Sequence, residues 1–277
     1  MRLGGPVFGD CSTPERWVTA LKKAGYRAAN CPLDAAATDT IVRSYEAAVR
    51  EADIVIAEVG AWSNPLSPDE ETRRAAIRHC KDQLALAERI GAHCCVNIAG
   101  SCGTQWDGPH PENLIPRTFD RIVQTVQEIL DAVRPDRTFY TLETMPWAYP
   151  DGPDSYLELI AAIDRPRFAV HLDPVNMISS PQRYFSNAAF LRECFAKLGP
   201  WIKNCHAKDI TLSGKLTVHL DEKGPGQGAL DYGVFLTELD RLDPDTPLLL
   251  EHLSSEGEYA LAAQHVRSVA ASAGVAL

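Results

Sequence analysis

Phe139-Tyr-Thr-Leu-Glu143 is the first of four short apolar runs in the second half of the chain, each carrying one metal-type ligand. The others are Phe168-Ala-Val-His-Leu-Asp173, Trp201-Ile-Lys-Asn-Cys-His206 and Pro247-Leu-Leu-Leu-Glu251. An apolar run of this length, bounded by turn residues, reads as a parallel strand buried on both faces. In each run an ionisable group stands at or near the C-terminal end. Carboxylates and an imidazole are costly to bury unpaired. Convergence of all four on one divalent cation satisfies them together.

Working outward, strand-like and helix-like segments alternate along the whole chain. Residues 3–9, 26–30, 53–59 and 93–99 read as four earlier strands. Ser12-Thr-Pro-Glu15 and Ser67-Pro-Asp-Glu70 look like capping boxes that open helices, and Gly25 and Gly91 close them. Further helices are expected at about 38–52, up to 133, and at 154–163, 188–198, 232–239 and 258–273, with a Gly-, Ser- and Pro-rich loop over 100–111. Eight strand–helix units without a composition break make a single closed (β/α)8 barrel of the α/β class over residues 1–277. Its reactive groups belong at the C-terminal strand ends. An open doubly wound sheet is the competitor, but Gly4-Gly5 and Gly9 lack the spacing of a phosphate-binding turn.

Lys plus Arg number 27 against 37 Asp plus Glu, a formal net charge of −10. That balance disfavours nucleic acid and anionic membranes as partners. The eight cysteines, at 11, 31, 80, 94, 95, 102, 194 and 205, form no CxxC pair, and reduced buried thiols are expected. The sequence begins without an apolar signal core and has no run of membrane-spanning length, so a cytoplasmic protein is expected.

Strand alternation decides which side chains share a face. His171 goes with Asp173, Thr141 with Glu143, and Asn204 with His206, and with Lys208 if the strand runs that far. Glu143, Asp173, His206 and Glu251 make a mostly oxygen site with one nitrogen. Such a set suits Mn²⁺, Mg²⁺ or Co²⁺, with Zn²⁺ as a further alternative.

These motifs resemble the xylose-isomerase-like TIM-barrel superfamily of sugar and sugar phosphate isomerases and epimerases. Leu142-Glu143 is similar to the strand-five metal glutamate of that family. His171-Leu-Asp-Pro-Val-Asn176 resembles its strand-six segment, His206-Ala-Lys-Asp209 its "HxKD" segment, and Leu250-Glu251 its strand-eight glutamate. Gly224-Pro-Gly-Gln-Gly228, followed by Asp231-Tyr232, resembles its Gly-rich loop before helix seven.

The resemblance implies one divalent ion, Mn²⁺ first, held by Glu143, Asp173, His206 and Glu251, and a small carbohydrate substrate. Glu143 and Glu251 would exchange a proton on opposite faces of the carbon next to a carbonyl, through a cis-enediolate. Asn176 stands where ketohexose 3-epimerases carry a substrate-contacting histidine, and their later arginine is replaced by Lys208-Asp209-Ile210-Thr211. Lys208 or His219 is the candidate substitute. His171, Trp62 and Trp147 complete the expected substrate contacts, Trp106 is a candidate lid, and Glu58 ends the third strand, where it either reaches the site or caps a helix. A homo-oligomer is implied. A lyase on the same scaffold, of the inosose dehydratase or 3-keto-sugar-eliminating kind, is the alternative reading.

Overall fold

All four ligand-bearing runs become interior strands of a closed barrel in the computed structural model, which describes residues 1–277. The strands are β1 (Arg2–Gly4), β2 (Ala28–Asn30), β3 (Val55–Gly60), β4 (Cys94–Asn97), β5 (Phe139–Glu143), β6 (Phe168–Leu172) and β7 (Ile202–Ala207). A two-stranded antiparallel hairpin, β8 (Asp209–Leu212) and β9 (Leu220–Lys223), stands outside the barrel before β10 (Pro247–Leu250) closes it against β1. All eight barrel pairings are parallel, with helices between successive strands. The single (β/α)8 architecture is the one expected.

The local corrections have physical causes. The first strand is three residues long rather than seven, because Pro6 has no N–H to give a ladder. Gly4 is required there, since a Cβ would collide with the Ala28 carbonyl. The first helix is capped by Thr13, not Ser12, and helix Glu70–Ile90 by Asp69, not Ser67. Asp69 Oδ1 accepts from Thr72 N at 2.8 Å, while Ser67 Oγ accepts from Asp69 N one step earlier. Gly25 and Gly91 do end their helices, at φ 70° and 71°, where glycine carries no Cβ penalty. Trp201 ends a 3₁₀ turn and lies outside β7.

Two features position the site. Tyr156, fully buried, sets its hydroxyl between β5 and β6, donating to Leu142 O at 2.6 Å and accepting from His171 N at 3.2 Å. This fastens the strand ends that carry Glu143 and Asp173. Register shifts at Ala29/Asn30 and Val170/His171 act as bulges do, re-aiming Asn30 and His171.

Candidate metal centre and cleft

Strand geometry brings Glu143, Asp173, His206 and Glu251 together at the C-terminal mouth of the barrel. One ligand atom from each lies within 4.8 Å of all the others. Glu143 ends β5, Asp173 follows β6, His206 lies in β7, and Glu251 follows β10. Three carboxylates and one imidazole are a hard, oxygen-rich donor set suited to a divalent cation. Of the buried oxygens, Asp173 Oδ2 has no hydrogen-bond partner, and Glu251 Oε2 faces His206 Nδ1, a second ligand atom. Lys208 Nζ stands 2.8 Å and 3.3 Å from these two oxygens, close enough to attract but not aligned to donate. Carboxylate oxygens and an imidazole nitrogen converging on one point, one of the oxygens unpartnered, fit a metal ion.

The other half of Asp173 is satisfied by the chain, since Oδ1 accepts from Val175 N at 2.9 Å and Asn176 N at 3.2 Å. Asn176 donates its amide to Glu143 Oε1 and to Thr144 O, both at 3.1 Å. Asn176 therefore orients the Glu143 carboxylate.

Glu58, in β3, is a central member of the cluster, which its place in the sequence only hinted at. It is 3% exposed, and its carboxylate accepts from Asn204 Nδ2 at 2.6 Å and Asn30 Nδ2 at 3.0 Å. Its Oε2 also lies 3.3 Å from His206 Nε2, on the side of the ring away from Glu143 and Glu251. A carboxylate in that place fixes the ring and leaves Nδ1 for the cation, the usual second partner of a metal-bound histidine. His171 faces the interior as alternation required. Its ring packs edge-on against His206 with centroids 4.1 Å apart, and neither of its nitrogens has a hydrogen-bond partner.

Lys208 is the one buried ammonium among the carboxylates. Besides Asp173 and Glu251, it lies 3.4 Å from Glu222 Oε2 and 3.6 Å from Glu143 Oε1. Tyr232 holds its backbone, donating to Lys208 O at 2.7 Å. Asp209 gathers the glycine-rich loop beneath, accepting from Gly226 N and Gly228 N, each at 2.9 Å. Glu222 reaches the cluster from the hairpin, an element the sequence reading lacked. His252 links it to the ligand set, with Nδ1 3.0 Å from Glu222 Oε1 and Nε2 3.0 Å from Glu251 Oε1. His252 is held at φ 57°, a left-handed conformation that a non-glycine residue seldom adopts.

The electrostatics split the two glutamates. Burial, reinforced by the charge on Glu251, pushes Glu143 up to about 7. Burial also opposes ionisation of Glu251, but the His206 imidazolium beside it outweighs this and holds its carboxyl well below the usual range. For His206 the burial cost is overcome by Glu251, Glu58 and Glu143, which hold the ring protonated. Burial and the His206 charge keep His171 neutral. His252 is raised to about 9 by its bonds to Glu222 and Glu251.

A cation that takes this set must displace protons from Glu143 and His206. Mn²⁺ binding at pH 7 is therefore expected to release about one proton or more per ion. Affinity should weaken roughly tenfold per pH unit, per displaced proton, as pH falls below about 7. Calorimetry in buffers of different ionisation enthalpy measures the proton count, and a pH-independent affinity between 5.5 and 7.5 would contradict the assignment.

Over the cluster opens a cleft of about 520 Å³ lined by Trp62, Trp106, Trp147, Asn176, Lys208 and Glu222, among others. The three tryptophans are 40%, 39% and 38% exposed, so they wall a solvent-filled space rather than the core. Trp147 Nε1 donates to Asp107 O at 2.8 Å, tying the loop after β5 to the long loop that carries Trp106. Trp62 folds back over Gly60, where a Cβ would collide with the indole nitrogen. His219 does not join them. It is exposed in the loop of the hairpin and outside the cleft lining.

The family described as Xylose isomerase-like TIM barrel matches residues 18–269. No curated protein matches the chain. Solved structures of similar fold include D-psicose 3-epimerase with D-tagatose from Clostridium cellulolyticum, at 14% identity, TM-score 0.68 and 100% of both chains. The probable 3-DHS dehydratase AsbF from Bacillus anthracis aligns at 16% identity and TM-score 0.68 over 95% of this chain and 94% of that one. Endonuclease IV from Thermus thermophilus aligns at 16% identity and TM-score 0.70 over 98% of this chain and 100% of that one. At these identities the likeness is one of fold, and it spans three reaction types.

Proposed function

The chain belongs to the xylose isomerase-like TIM-barrel family, and on that footing we propose that it is a metal-dependent isomerase or epimerase of a sugar or sugar phosphate. The observation that carries the reading is geometric: Glu143 and Glu251 converge with Asp173 and His206 at the barrel mouth, within 4.8 Å of one another, beneath a cleft walled by tryptophans. Glu143, Asp173, His206 and Glu251 would hold one divalent cation, Mn²⁺ first among the candidates. That ion, when bound, supplies a Lewis acid that makes a C–H next to a carbonyl more acidic. Glu251, the more exposed of the two side chains at 16% against 5%, would take the proton on one face of the substrate carbon, and Glu143 would return one on the other face. Lys208 presents its ammonium to substrate oxygens as negative charge develops there. Asn176 holds Glu143 in position, neutral His171 backs His206, and Trp62 and Trp147 supply flat apolar faces for a sugar ring.

A lyase is the second reading, favoured by His252. It is protonated at neutral pH, touches Glu251, and faces the cleft, which places an acid beside the base where a leaving group would depart. Nucleic-acid cleavage fits poorly, because Glu58, Glu143, Asp173, Glu222 and Glu251 crowd the mouth with negative charge.

The test is to incubate Mn²⁺-loaded protein with ketoses, their phosphates and 3-keto-glycosides in D₂O. Deuterium at a carbon α to the carbonyl, together with an isomer or epimer as product, is the expected result. Deuterium uptake with loss of water or another leaving group assigns the lyase reading instead. Absence of exchange from every member of the panel overturns both.

A further inference from the structure

The cleft over the carboxylates does not end at Trp62. Behind the indole a second cavity of about 490 Å³ opens between β1, β2 and β10. The two spaces share Trp62, Glu251 and His252, so a ligand seated on the ligand cluster has this bay at its side. The floor of the bay touches Glu58 and His206, within the cluster itself.

The chemistry of its walls differs from that of the cleft. Apart from Glu58 and His206 on its floor and Glu251 and His252 at the shared edge, no charged side chain lines it. Its far wall is built from Val7, Cys11, Trp17, Leu21, Cys31 and Leu249, and two of its polar side chains are already engaged. Asn30 gives its amide to Glu58, and the Tyr259 hydroxyl accepts from Leu253 N at 3.3 Å. Cys31 is a thiol rather than a thiolate at neutral pH, because burial pushes it up to about 11. A second sugar ring would leave most of its hydroxyls without partners in such a space, and each unpaired buried hydroxyl is costly. An apolar group has no such cost and gains from leaving water.

Size leads to the same conclusion. Cavities of about 300–1,000 Å³ enclose drug-sized ligands. The 520 Å³ cleft is ample for one sugar ring, so a free monosaccharide would leave the 490 Å³ bay unused. We infer that the substrate is a keto sugar bearing an apolar, non-carbohydrate substituent, the ring over Glu143 and Glu251 and the substituent in the bay behind Trp62. This rests on the sugar reading above and narrows its substrate class to apolar glycosides.

The experiment compares a matched pair, methyl and phenyl 3-keto-β-D-glucopyranoside, for binding to the Mn²⁺-loaded protein by calorimetry. The phenyl compound is expected to bind at least tenfold more tightly. Val7→Trp, which fills the bay from a residue outside the ligand cluster, should erase that difference and leave the methyl compound's affinity unchanged. Cys31→Phe fills it from the opposite wall and serves as the independent check on folding. Equal affinities in the unaltered protein would overturn the bay assignment while leaving the sugar reading standing. A preference for phenyl that survives both variants would place the substituent elsewhere and also overturn it. Failure of both compounds to bind would reject this substrate class, and the D₂O exchange panel reports separately on the parent reading.

Discussion

Glu251→Gln is expected to lose roughly 10²–10⁴-fold in turnover through the missing base alone, with a further loss from weakened metal binding. The amide keeps the size and one acceptor oxygen but cannot take up a proton. It also meets two donors, because His206 and His252 both approach the Glu251 carboxylate, so one of them faces an NH₂ group instead of an oxygen. The companion Glu143→Gln should behave differently. Glu251, the more exposed carboxylate, is assigned as the base, so the base survives in that variant and the returning acid does not. Solvent deuterium should therefore still enter the substrate in Glu143→Gln without net product, while Glu251→Gln should show neither exchange nor product. Thermal melting of both variants with saturating Mn²⁺ separates chemistry from folding. Reversal of the two exchange patterns would exchange the assigned roles, and full turnover in either variant would remove that residue from the chemistry.

The parts of this site that were legible in the sequence share one physical property. A strand buried on both faces has little reason to carry a charge, so Glu143, Asp173, His206 and Glu251 stand out against their apolar neighbours. Alternation then placed His171 and Lys208 on the inner face, where the structure has them. What stayed hidden depends on partners far along the chain. Glu58 was readable as a strand-ending acid, but its role comes from Asn30 and Asn204, 28 and 146 residues away, and from a bulge that no local pattern announces. The hairpin was missed because β9, Leu220–Lys223, is three charged residues after one leucine and gives no alternating signal. With it went Glu222 and the bridge through His252. His219, the alternative to Lys208 as a substrate contact, sits in the same hairpin and is carried out to the solvent side of the turn. The Ser12 and Ser67 caps were displaced by Thr13 and Asp69, each a short polar side chain one or two positions nearer the helix.

Lys208→Met is expected to destabilise the protein strongly when divalent ions are chelated, and far less when they are present. The ammonium is 2% exposed and lies within 3.6 Å of oxygens from Glu143, Asp173, Glu222 and Glu251. Removing one partner of a buried ion pair costs about 3–5 kcal/mol, because the remaining charge has left water without compensation. Here the residue removed neutralises a crowd rather than a single partner. A divalent cation bound by the same carboxylates would replace that charge, and a ligand at about a thousand times its Kd adds about 4 kcal/mol to stability. Most of the loss in Lys208→Met should therefore return with saturating Mn²⁺. Affinity for the ion should also rise by about tenfold or more, since a neighbouring positive charge opposes a dication by on the order of 2 kcal/mol in a partly solvated site. Acid should rescue the variant in the absence of metal. The Glu143 carboxyl, already raised by burial, loses with the ammonium one of the charges that favour its ionised form, so it titrates higher still in the folded chain. Its contribution to stability is then fully present below the unfolded value and is lost as pH rises through the folded one. Denaturant melts with EDTA and with Mn²⁺, at pH 5 and pH 7.5, together with calorimetric titration of the ion, measure all three effects. If the destabilisation is the same with and without Mn²⁺, Lys208 and the ion do not share these carboxylates, and the assignment of the metal centre to this cluster is wrong.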